Sequence, residues 1–260
     1  MATITVNRND FERLVGKKLS NELINKISML GTSVEKVTKD SIEVEVFPNR
    51  PDLLSSEGLA RALSSFIGIR KKGRKYEVKK SEYSVKIDNK VKNVRPFAVA
   101  AVVKNIKLSN DVVESIMQLQ EKLHITLGRN RKKASIGVYD LDKIKFPLTY
   151  TTQQKNFRFT PLEFKEKLTL SQILAKHPKG KEYAHLIENY NEFPIWIDAN
   201  NQVLSMPPII NSEEMKVTEK TKNLFIDVTG LDLRTIEYVL NIIVSALVDR
   251  NAEIYSVNVN

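Results

Sequence analysis

The chain contains no cysteine among its 260 residues and only three histidines. The lack of cysteine excludes disulfide bonds, thiolate nucleophiles and zinc sites built on cysteine. His124, His177 and His185 are far apart in sequence, and none has a neighbour at a spacing typical of a metal site. We therefore expect each histidine to be a surface or packing residue, and we expect no metal site.

Several signatures of catalysis and of membrane insertion are also missing. The sequence has no GxxxxGK[ST] loop, no GxGxxG after a strand and no GxSxG elbow, so P-loop and serine-hydrolase chemistry are not expected. No apolar run approaches the length needed to span a bilayer, and the first residues, MATITVNRNDFERL, lack the apolar core of a signal peptide. We expect a cytoplasmic protein with no membrane contact.

Positive charge is in excess, with 41 basic against 31 acidic residues and a net charge of +10. A surplus of this kind favours polyanionic partners such as nucleic acid, although salt-rich or thermophilic lifestyles also enrich lysine. Basic residues cluster in Arg70–Lys80 and again at Arg129, Arg131, Lys132 and Lys133. Each cluster is either a solvated face or a surface that contacts phosphates.

The pattern of the first 80 residues predicts a small α/β domain. Asn9 and Glu12 form a capping pair for a helix from Asn9 to Lys17, and Ser20 caps a second helix that Gly31 closes. The alternation in Ser41–Val46 predicts a half-buried strand, and Ser55–Ile67 has the apolar stripe of a helix.

The remaining chain, residues 84–260, alternates predicted strands and helices and forms a larger mixed α/β domain, so the predicted class is α+β. The segments expected to be regular are a strand from Pro96, a helix over Val112–Leu127, strands over Phe193–Asp198 and Gln202–Met206, a long helix capped by Asp232, and a final strand over Glu253–Val259.

The segment Ser205–Gly230, SMPPIINSEEMKVTEKTKNLFIDVTG, has the most informative pattern in the chain. Because residues two apart on a strand face the same way, Phe225, Asp227 and Thr229 share one face of a predicted strand. Two prolines stiffen the loop before it. A carboxylate and a hydroxyl beside a stiff loop can form a pocket for a polar substrate, but an acid near a strand end is often a turn or cap residue.

Three stretches together resemble the beta subunit of phenylalanyl-tRNA synthetase of the archaeal and eukaryotic type. They are EVFPNRPDLLSSEGLARAL at 45–63, IMQLQEKLHITLGRNRKKASIGVYDLDKI at 116–144, and the segment at 205–230. The resemblance covers only the N-terminal portion of such a subunit. It implies that residues 84–260 are an editing domain, which hydrolyses tyrosine wrongly attached to tRNA(Phe).

The resemblance also implies which residues form the pocket. Asp227, Thr229 and Ser212 are then catalytic candidates, and Leu204, Ser205 and Asn211 are substrate-binding candidates. We expect Asp227 to accept the phenolic proton of tyrosine, and the Met206–Asn211 backbone to donate to the ester oxyanion. The bacterial branch has a His-x-Phe-Asp stretch where this chain has Gly137-Val138-Tyr139-Asp140, so bacterial assignments do not transfer, and Tyr139 and Asp140 remain weaker candidates.

The resemblance further implies tRNA(Phe) and a synthetase alpha subunit as partners, with Arg129, Arg131, Lys132 and Lys133 as candidate RNA contacts. No cofactor is expected for this portion, although a complete synthetase uses ATP and magnesium. No side chain is an obvious general base, so we expect a positioned water to attack the ester with help from the terminal ribose hydroxyl. Two other readings stay open: a non-catalytic module that binds RNA or the alpha subunit, and a general nucleic-acid-binding protein.

Overall fold

A computed structural model describes residues 2–260 and combines helices and sheets along the whole chain, so the predicted mixed class is confirmed. Within these residues the α-helices are α1 Arg8–Val15, α2 Asn21–Ser28, α3 Ser56–Phe66, α4 Asn110–Ile125, α5 Leu170–Lys176, α6 Pro178–Tyr183 and α7 Leu233–Asp249. None of them has the length and apolar content required to cross a bilayer.

The strands fall into four sheets. They are β1 Ala2–Asn7, β2 Thr32–Val37, β3 Ser41–Val46, β4 Val78–Lys79, β5 Ser84–Ile87, β6 Phe97–Lys104, β7 Ala134–Asp140, β8 Leu148–Gln154, β9 Arg158–Phe159, β10 Leu168–Thr169, β11 Glu192–Ile197, β12 Val203–Met206, β13 Ile210–Asn211, β14 Leu224–Gly230, β15 Glu253–Ser256 and β16 Asn258–Val259. The sheet orders are β1-β3-β2, β10-β9, β13-β12-β11-β8-β5-β16 and β4-β15-β6-β14-β7.

The predicted cap of the first helix is wrong by two residues. Asn7, not Asn9, caps α1, and its side-chain oxygen accepts the Asp10 N–H at 3.1 Å. The pattern of the first residues did not predict β1, which ends at Asn7, and the chain passes from this strand to α1 with no loop between them. The helix then stops at Val15 because Gly16 takes a left-handed φ of 84°.

Most other predicted elements are present with shifted ends. Ser20 and Asp232 cap α2 and α7 as predicted, and Ser55, the predicted first residue of the third helix, is the cap of α3. Helix α4 begins at Asn110 rather than Val112, because Ser109 is its cap. The predicted final strand is interrupted at Val257, so that β15 joins the five-stranded sheet and β16 joins the six-stranded sheet.

The two large sheets pack face to face, with helices outside them. Leu224, Ile226 and Val228 of β14 point to α7 and belong to one core cluster. Phe225 points the other way and packs against residues of the six-stranded sheet such as Trp196. The predicted division of β14 into two faces is confirmed, and it places Asp227 between the two sheets.

The N-terminal helices and sheet share a core with the five-stranded sheet. Ile4, Ile42 and Leu59 belong to the same buried cluster as Leu224 and Ile243. Buried ion pairs reinforce this junction, because Arg250 at the end of α7 binds Asp10 at 2.7 Å and also Glu57. The domain boundary between residues 80 and 84 stays a prediction.

Candidate active site

A cavity of about 490 Å³ lies where helix α4, strand β7 and the loop between β12 and β13 meet. Its volume is within the range of small-molecule sites. Apolar side chains and a few polar groups form its wall. They include Glu121, His124, Arg131, Ser135, Gly137, Tyr139, His177, Lys179, Ser205, Pro207, Pro208, Ile209, Asn211 and Asp227.

Asp227 is 1% exposed and lies at the wall of this cavity. Its Oδ1 accepts a hydrogen bond from the Tyr139 hydroxyl at 2.5 Å, and the same hydroxyl lies 2.7 Å from Ser205 Oγ. A phenol has one proton and a carboxylate only accepts, so Tyr139 donates to Asp227 and the Ser205 hydroxyl can donate to the Tyr139 oxygen. The three side chains form one buried chain of hydrogen bonds.

The second carboxylate oxygen of Asp227 is not used in this way. No side chain among residues 2–260 completes a hydrogen bond to Oδ2. The indole N–H of Trp196 lies close enough to favour the ionised carboxylate, yet it forms no hydrogen bond of normal geometry. Oδ2 is therefore available to accept a hydrogen bond from a ligand in the cavity.

Burial changes the acidity of this group. Loss of water raises the pKa of Asp227 to about 7, although the hydrogen bond from Tyr139 and the charge of Arg95 both act to lower it. Burial, together with the negative charge of Asp227, also raises the pKa of Tyr139 well above its ordinary value. Near neutral pH the carboxyl group is thus divided between its two protonation states, and the phenol keeps its proton.

Strand register brings these residues together. β14 pairs with β7 so that Asp227 is opposite Gly137 and Phe225 is opposite Tyr139. Tyr139 and Asp227 are therefore diagonal neighbours on one face of the sheet. A Cβ at Gly137 would lie within 3.0 Å of the Tyr139 hydroxyl and of Asp227 Oδ1, so only glycine leaves room for the hydrogen bond.

The other predicted pocket residues divide into two groups. Ser205 and Asn211 line the cavity, and the Asn211 amide donates to the carbonyl of Val138 at 3.3 Å. Leu204, Ser212 and Thr229 do not line it. Leu204 packs in the core between the sheets, and the Ser212 hydroxyl is buried without a hydrogen-bond partner.

Thr229 supports a buried arginine that the sequence analysis did not single out. Arg95 is 3% exposed, and its guanidinium donates to Thr229 Oγ1 at 2.9 Å, to the Thr229 carbonyl at 2.6 Å and to Ser135 Oγ at 3.1 Å. Burial lowers the pKa of Arg95 to about 10. The Arg-Pro pair at the start of a buried strand was the available signal, because a cation there needs partners.

Arg131 is buried in the cavity wall and does not project from the surface. Its guanidinium donates to the carbonyls of Pro208 at 3.2 Å and Ile209 at 2.8 Å, and it binds Glu121 at 2.7 Å. These contacts fix the proline loop against α4. The turn that carries Arg131 is left-handed at Arg129, Asn130 and Arg131, with φ of 47°, 52° and 64°. Non-glycine residues adopt this conformation at a cost of about 1–2 kcal/mol each.

The remaining basic candidates have different positions. Arg129 and Lys132 are exposed, and Lys133 is partly exposed, so these three side chains can reach a ligand in solvent. The expected backbone donors are fewer than the sequence indicated. Pro207 and Pro208 have no N–H, and the N–H of Ile209 already donates to the Met206 carbonyl at 2.8 Å.

Two histidines reach the cavity wall, but both nitrogens of each ring already have a partner within the protein. His124 Nε2 accepts the Ile136 N–H at 2.8 Å, and its Nδ1 faces Glu121 at 3.3 Å. Burial lowers the pKa of His124 to about 4, so the ring is neutral. His177 uses Nδ1 for the Lys179 N–H and Nε2 for the Leu162 carbonyl, both at 3.1 Å. No group of three His, Asp or Glu residues within 2–260 could hold a metal ion.

Comparison with known proteins identifies the family. The B3/4 domain family matches residues 79–242. Over its whole length the chain is 44% identical to the phenylalanine–tRNA ligase beta subunit of Archaeoglobus fulgidus and 43% identical to that of Pyrococcus horikoshii, covering 47% and 48% of them. The chain thus spans about half the length of the curated relatives it matches.

A solved structure matches the fold closely. The crystal structure of an N-terminal fragment of the phenylalanyl-tRNA synthetase beta subunit from Pyrococcus horikoshii aligns with a TM-score of 0.97 at 42% identity. The alignment covers 100% of this chain and 77% of that one. The resemblance seen in the sequence is therefore confirmed, and the chain belongs to the phenylalanine–tRNA ligase beta subunit family and contains its B3/4 domain.

Proposed function

We propose that this chain is the editing portion of a phenylalanyl-tRNA synthetase and hydrolyses the ester bond of Tyr-tRNA(Phe). The observation that carries the proposal is a buried carboxylate, Asp227, at the wall of a 490 Å³ cavity, with one oxygen that accepts no hydrogen bond of normal geometry from a side chain among residues 2–260. A site of this kind suits a substrate that has a hydroxyl group to donate.

The physical need for such a site follows from the two amino acids. Phenylalanine and tyrosine differ by one hydroxyl, and an apolar pocket rejects an added hydroxyl only modestly. A pocket that hydrogen-bonds the hydroxyl discriminates far more strongly, because phenylalanine leaves a buried acceptor unpaired. Asp227 supplies that acceptor through Oδ2, and its pKa of about 7 keeps a substantial ionised fraction at neutral pH.

The other candidates have supporting positions in this proposal. Ser205 and Asn211 contact the substrate directly, since both line the cavity. Thr229, Ser212 and Leu204 act from behind the wall: Thr229 holds Arg95, Leu204 packs beneath the site, and the Ser212 hydroxyl has no partner of its own. We propose that Thr229 and Ser212 help to orient the amino acid or a water molecule only indirectly, through the residues that separate them from the cavity.

Water attacks the ester in this mechanism, and the tRNA supplies part of the chemistry. Both cavity histidines already use both ring nitrogens, which argues against either of them as a general base. The ribose hydroxyl next to the ester is then the nearest group that can assist the water. Hydrolysis of a substrate with a 2′-deoxy terminal ribose tests this step: we expect a large loss of rate, and an unchanged rate would exclude it.

The wider assignment follows from the family. We propose tRNA(Phe) as a partner, bound in part by Arg129, Lys132 and Lys133, with the alpha subunit as the partner in the assembled synthetase. ATP and magnesium serve that complete synthetase, and no cofactor is proposed for this portion. A cytoplasmic location follows from its place in protein synthesis.

A deacylation assay tests the proposed function. The purified chain is incubated with Tyr-tRNA(Phe), and release of tyrosine is measured for the wild type and for Asp227→Ala. We expect hydrolysis by the wild type and strong loss in the variant, while Asp142→Ala, an exposed acid outside the cavity, retains activity. Binding of tRNA by a wild-type chain that releases no tyrosine would instead indicate a non-catalytic RNA-binding module.

A further inference from the structure

We infer that Tyr139 is a positioning residue that makes Asp227 selective for a hydroxyl donor. The phenolic hydroxyl of Tyr139 binds Oδ1, so Oδ2 is the carboxylate oxygen to which no side chain among residues 2–260 donates with normal geometry. This inference rests on the proposed function, and it concerns how the protein orients its own carboxylate before the substrate binds.

The hydrogen bond fixes the plane of the carboxylate. A free carboxylate rotates about its last torsion and can present either oxygen, since this torsion is broad and two-fold. The 2.5 Å hydrogen bond from Tyr139 removes that freedom. Tyr139 is itself held in place, because its ring is fully buried and stacks on Phe225 with 6.0 Å between ring centres.

Two further observations show that the space for this hydroxyl is built into the fold. Gly137 is opposite Asp227 in the strand register, and any side chain there would collide with the Tyr139 hydroxyl. Ser205, on the six-stranded sheet, supplies the other hydrogen bond of the phenol at 2.7 Å. Residues of both sheets thus converge on one phenolic oxygen.

The inference predicts a specific effect on the ionisation of Asp227. The titratable or charged groups that act on Asp227 are Tyr139 from β7, Arg95 from the segment before β6 and Tyr150 from β8. Tyr139 lowers the Asp227 pKa by donating a hydrogen bond. Removing only this hydroxyl therefore raises the pKa and moves the ionised, hydroxyl-accepting form to higher pH.

The test compares Tyr139→Phe with the wild type, because this change removes the hydroxyl and keeps the ring in the core. We expect kcat/KM for Tyr-tRNA(Phe) hydrolysis to fall about tenfold, as for loss of one hydrogen bond to a charged group. The acid limb of its pH profile should move up by about one pH unit. Phenylalanine has no hydroxyl that Asp227 could bind, so the rate of Phe-tRNA(Phe) hydrolysis should change less than about twofold.

A second substitution separates positioning from packing. Site-specific 3-fluorotyrosine at residue 139 keeps the shape of the ring but makes the phenol a stronger donor, so the acid limb should move down in pH, opposite to Tyr139→Phe. If Tyr139→Phe does not fold, the 3-fluorotyrosine protein alone still tests whether the Tyr139 hydroxyl controls the ionisation of Asp227. The inference would be overturned if both variants kept the wild-type ratio of Tyr-tRNA(Phe) to Phe-tRNA(Phe) hydrolysis and the wild-type pH profile.

Direct titration keeps this inference distinct from the proposed function. The Asp227 carboxyl carbon is followed by NMR in the wild type and in both variants. If the wild type releases no tyrosine, the proposed editing function fails, but the titration still reports whether Tyr139 controls Asp227. Opposite shifts in the two variants support that control, and identical titration midpoints refute it.

Discussion

The hydroxyl of Tyr139 donates to Asp227 Oδ1 at 2.5 Å, although the two residues are 88 positions apart. The contact joins two adjacent strands diagonally across Gly137. It occupies one oxygen of the buried carboxylate, and we propose that the other oxygen accepts a hydrogen bond from the substrate. The predictions below follow from this arrangement and from the contacts that surround it.

The first prediction concerns pH. Because burial raises the pKa of Asp227 to about 7, the carboxylate that accepts the substrate hydroxyl is lost as pH falls through that value. We expect the ratio of Tyr-tRNA(Phe) to Phe-tRNA(Phe) hydrolysis to increase with pH and to level off above about 8. Rates measured from pH 5.5 to 8.5 (about the window that a pKa near 7 requires) check this, and a flat ratio would contradict it.

The second prediction concerns Gly137. Gly137→Ala places a Cβ within 3.0 Å of both partners of the central hydrogen bond, so Tyr139 and Asp227 must separate. We expect editing activity to be lost and the free energy of unfolding to fall by about 1–3 kcal/mol, as for overpacking of a core. Gly73→Ala is the matched control, because nothing lies within 4 Å of its added Cβ. Urea denaturation and the deacylation assay provide the two measurements.

The third prediction separates Arg131 from Arg129, which lie in the same left-handed turn. Arg131→Met removes the hydrogen bonds that hold Pro208 and Ile209, and should reduce stability by about 1.5–3 kcal/mol. Arg129→Met should change stability by less than about 0.5 kcal/mol. Because Arg129 is exposed, Arg129→Met should instead weaken tRNA binding and lower the salt dependence of that binding. A fully stable Arg131→Met protein would be evidence against this assignment.

The fourth prediction tests the junction between the N-terminal helices and α7. Arg250→Met leaves Glu57 buried without a cation and Asp10 with Arg13 alone, so the free energy of unfolding should fall by about 3–5 kcal/mol. Arg13→Met also removes a partner of Asp10, but its side chain is 72% exposed, so the loss should stay below about 1 kcal/mol. Chemical denaturation of both variants measures the two decreases in the free energy of unfolding.

Acid titration adds a check on the same junction. Burial opposes ionisation of Asp10, but hydrogen bonds from Arg250 and Arg13 outweigh it and lower the pKa of Asp10 below 3.8. A lowered pKa stabilises the fold above the unfolded-state pKa, and this contribution is lost as pH falls through the folded-state value. Arg250→Met should therefore lose less stability on acidification than the wild type, and equal losses would argue against the assigned ion pair.

Local patterns predicted much of the fold but not the central contact. The alternation in LFIDVTG was enough to place Asp227 on the opposite face from Ile226, and the caps Ser20 and Asp232 marked the starts of two helices. These features depend on neighbours in sequence. The Tyr139–Asp227 hydrogen bond depends on the pairing of β7 with β14, which no local pattern specifies.

The sequence also could not predict which charged side chains are buried. Arg131 is in a basic cluster that is typical of an exposed loop, yet a left-handed turn directs its guanidinium to two carbonyls and a carboxylate. Arg95 likewise finds its partners on residues more than 30 positions away. Composition indicates how many charges a chain has, but only tertiary contacts show which of them are used internally.

The central proposal is that Asp227 recognises tyrosine by accepting a hydrogen bond from its hydroxyl group. Its most direct test is the ratio of kcat/KM for Tyr-tRNA(Phe) and Phe-tRNA(Phe) hydrolysis, measured at pH 8 (about one unit above the pKa of the carboxyl group) for the wild type and for the nearly isosteric Asp227→Asn. We predict that the ratio falls about 10- to 100-fold in the variant, the range for a hydrogen bond to a charged group. An Asp227→Asn protein that retains the wild-type ratio would contradict the account.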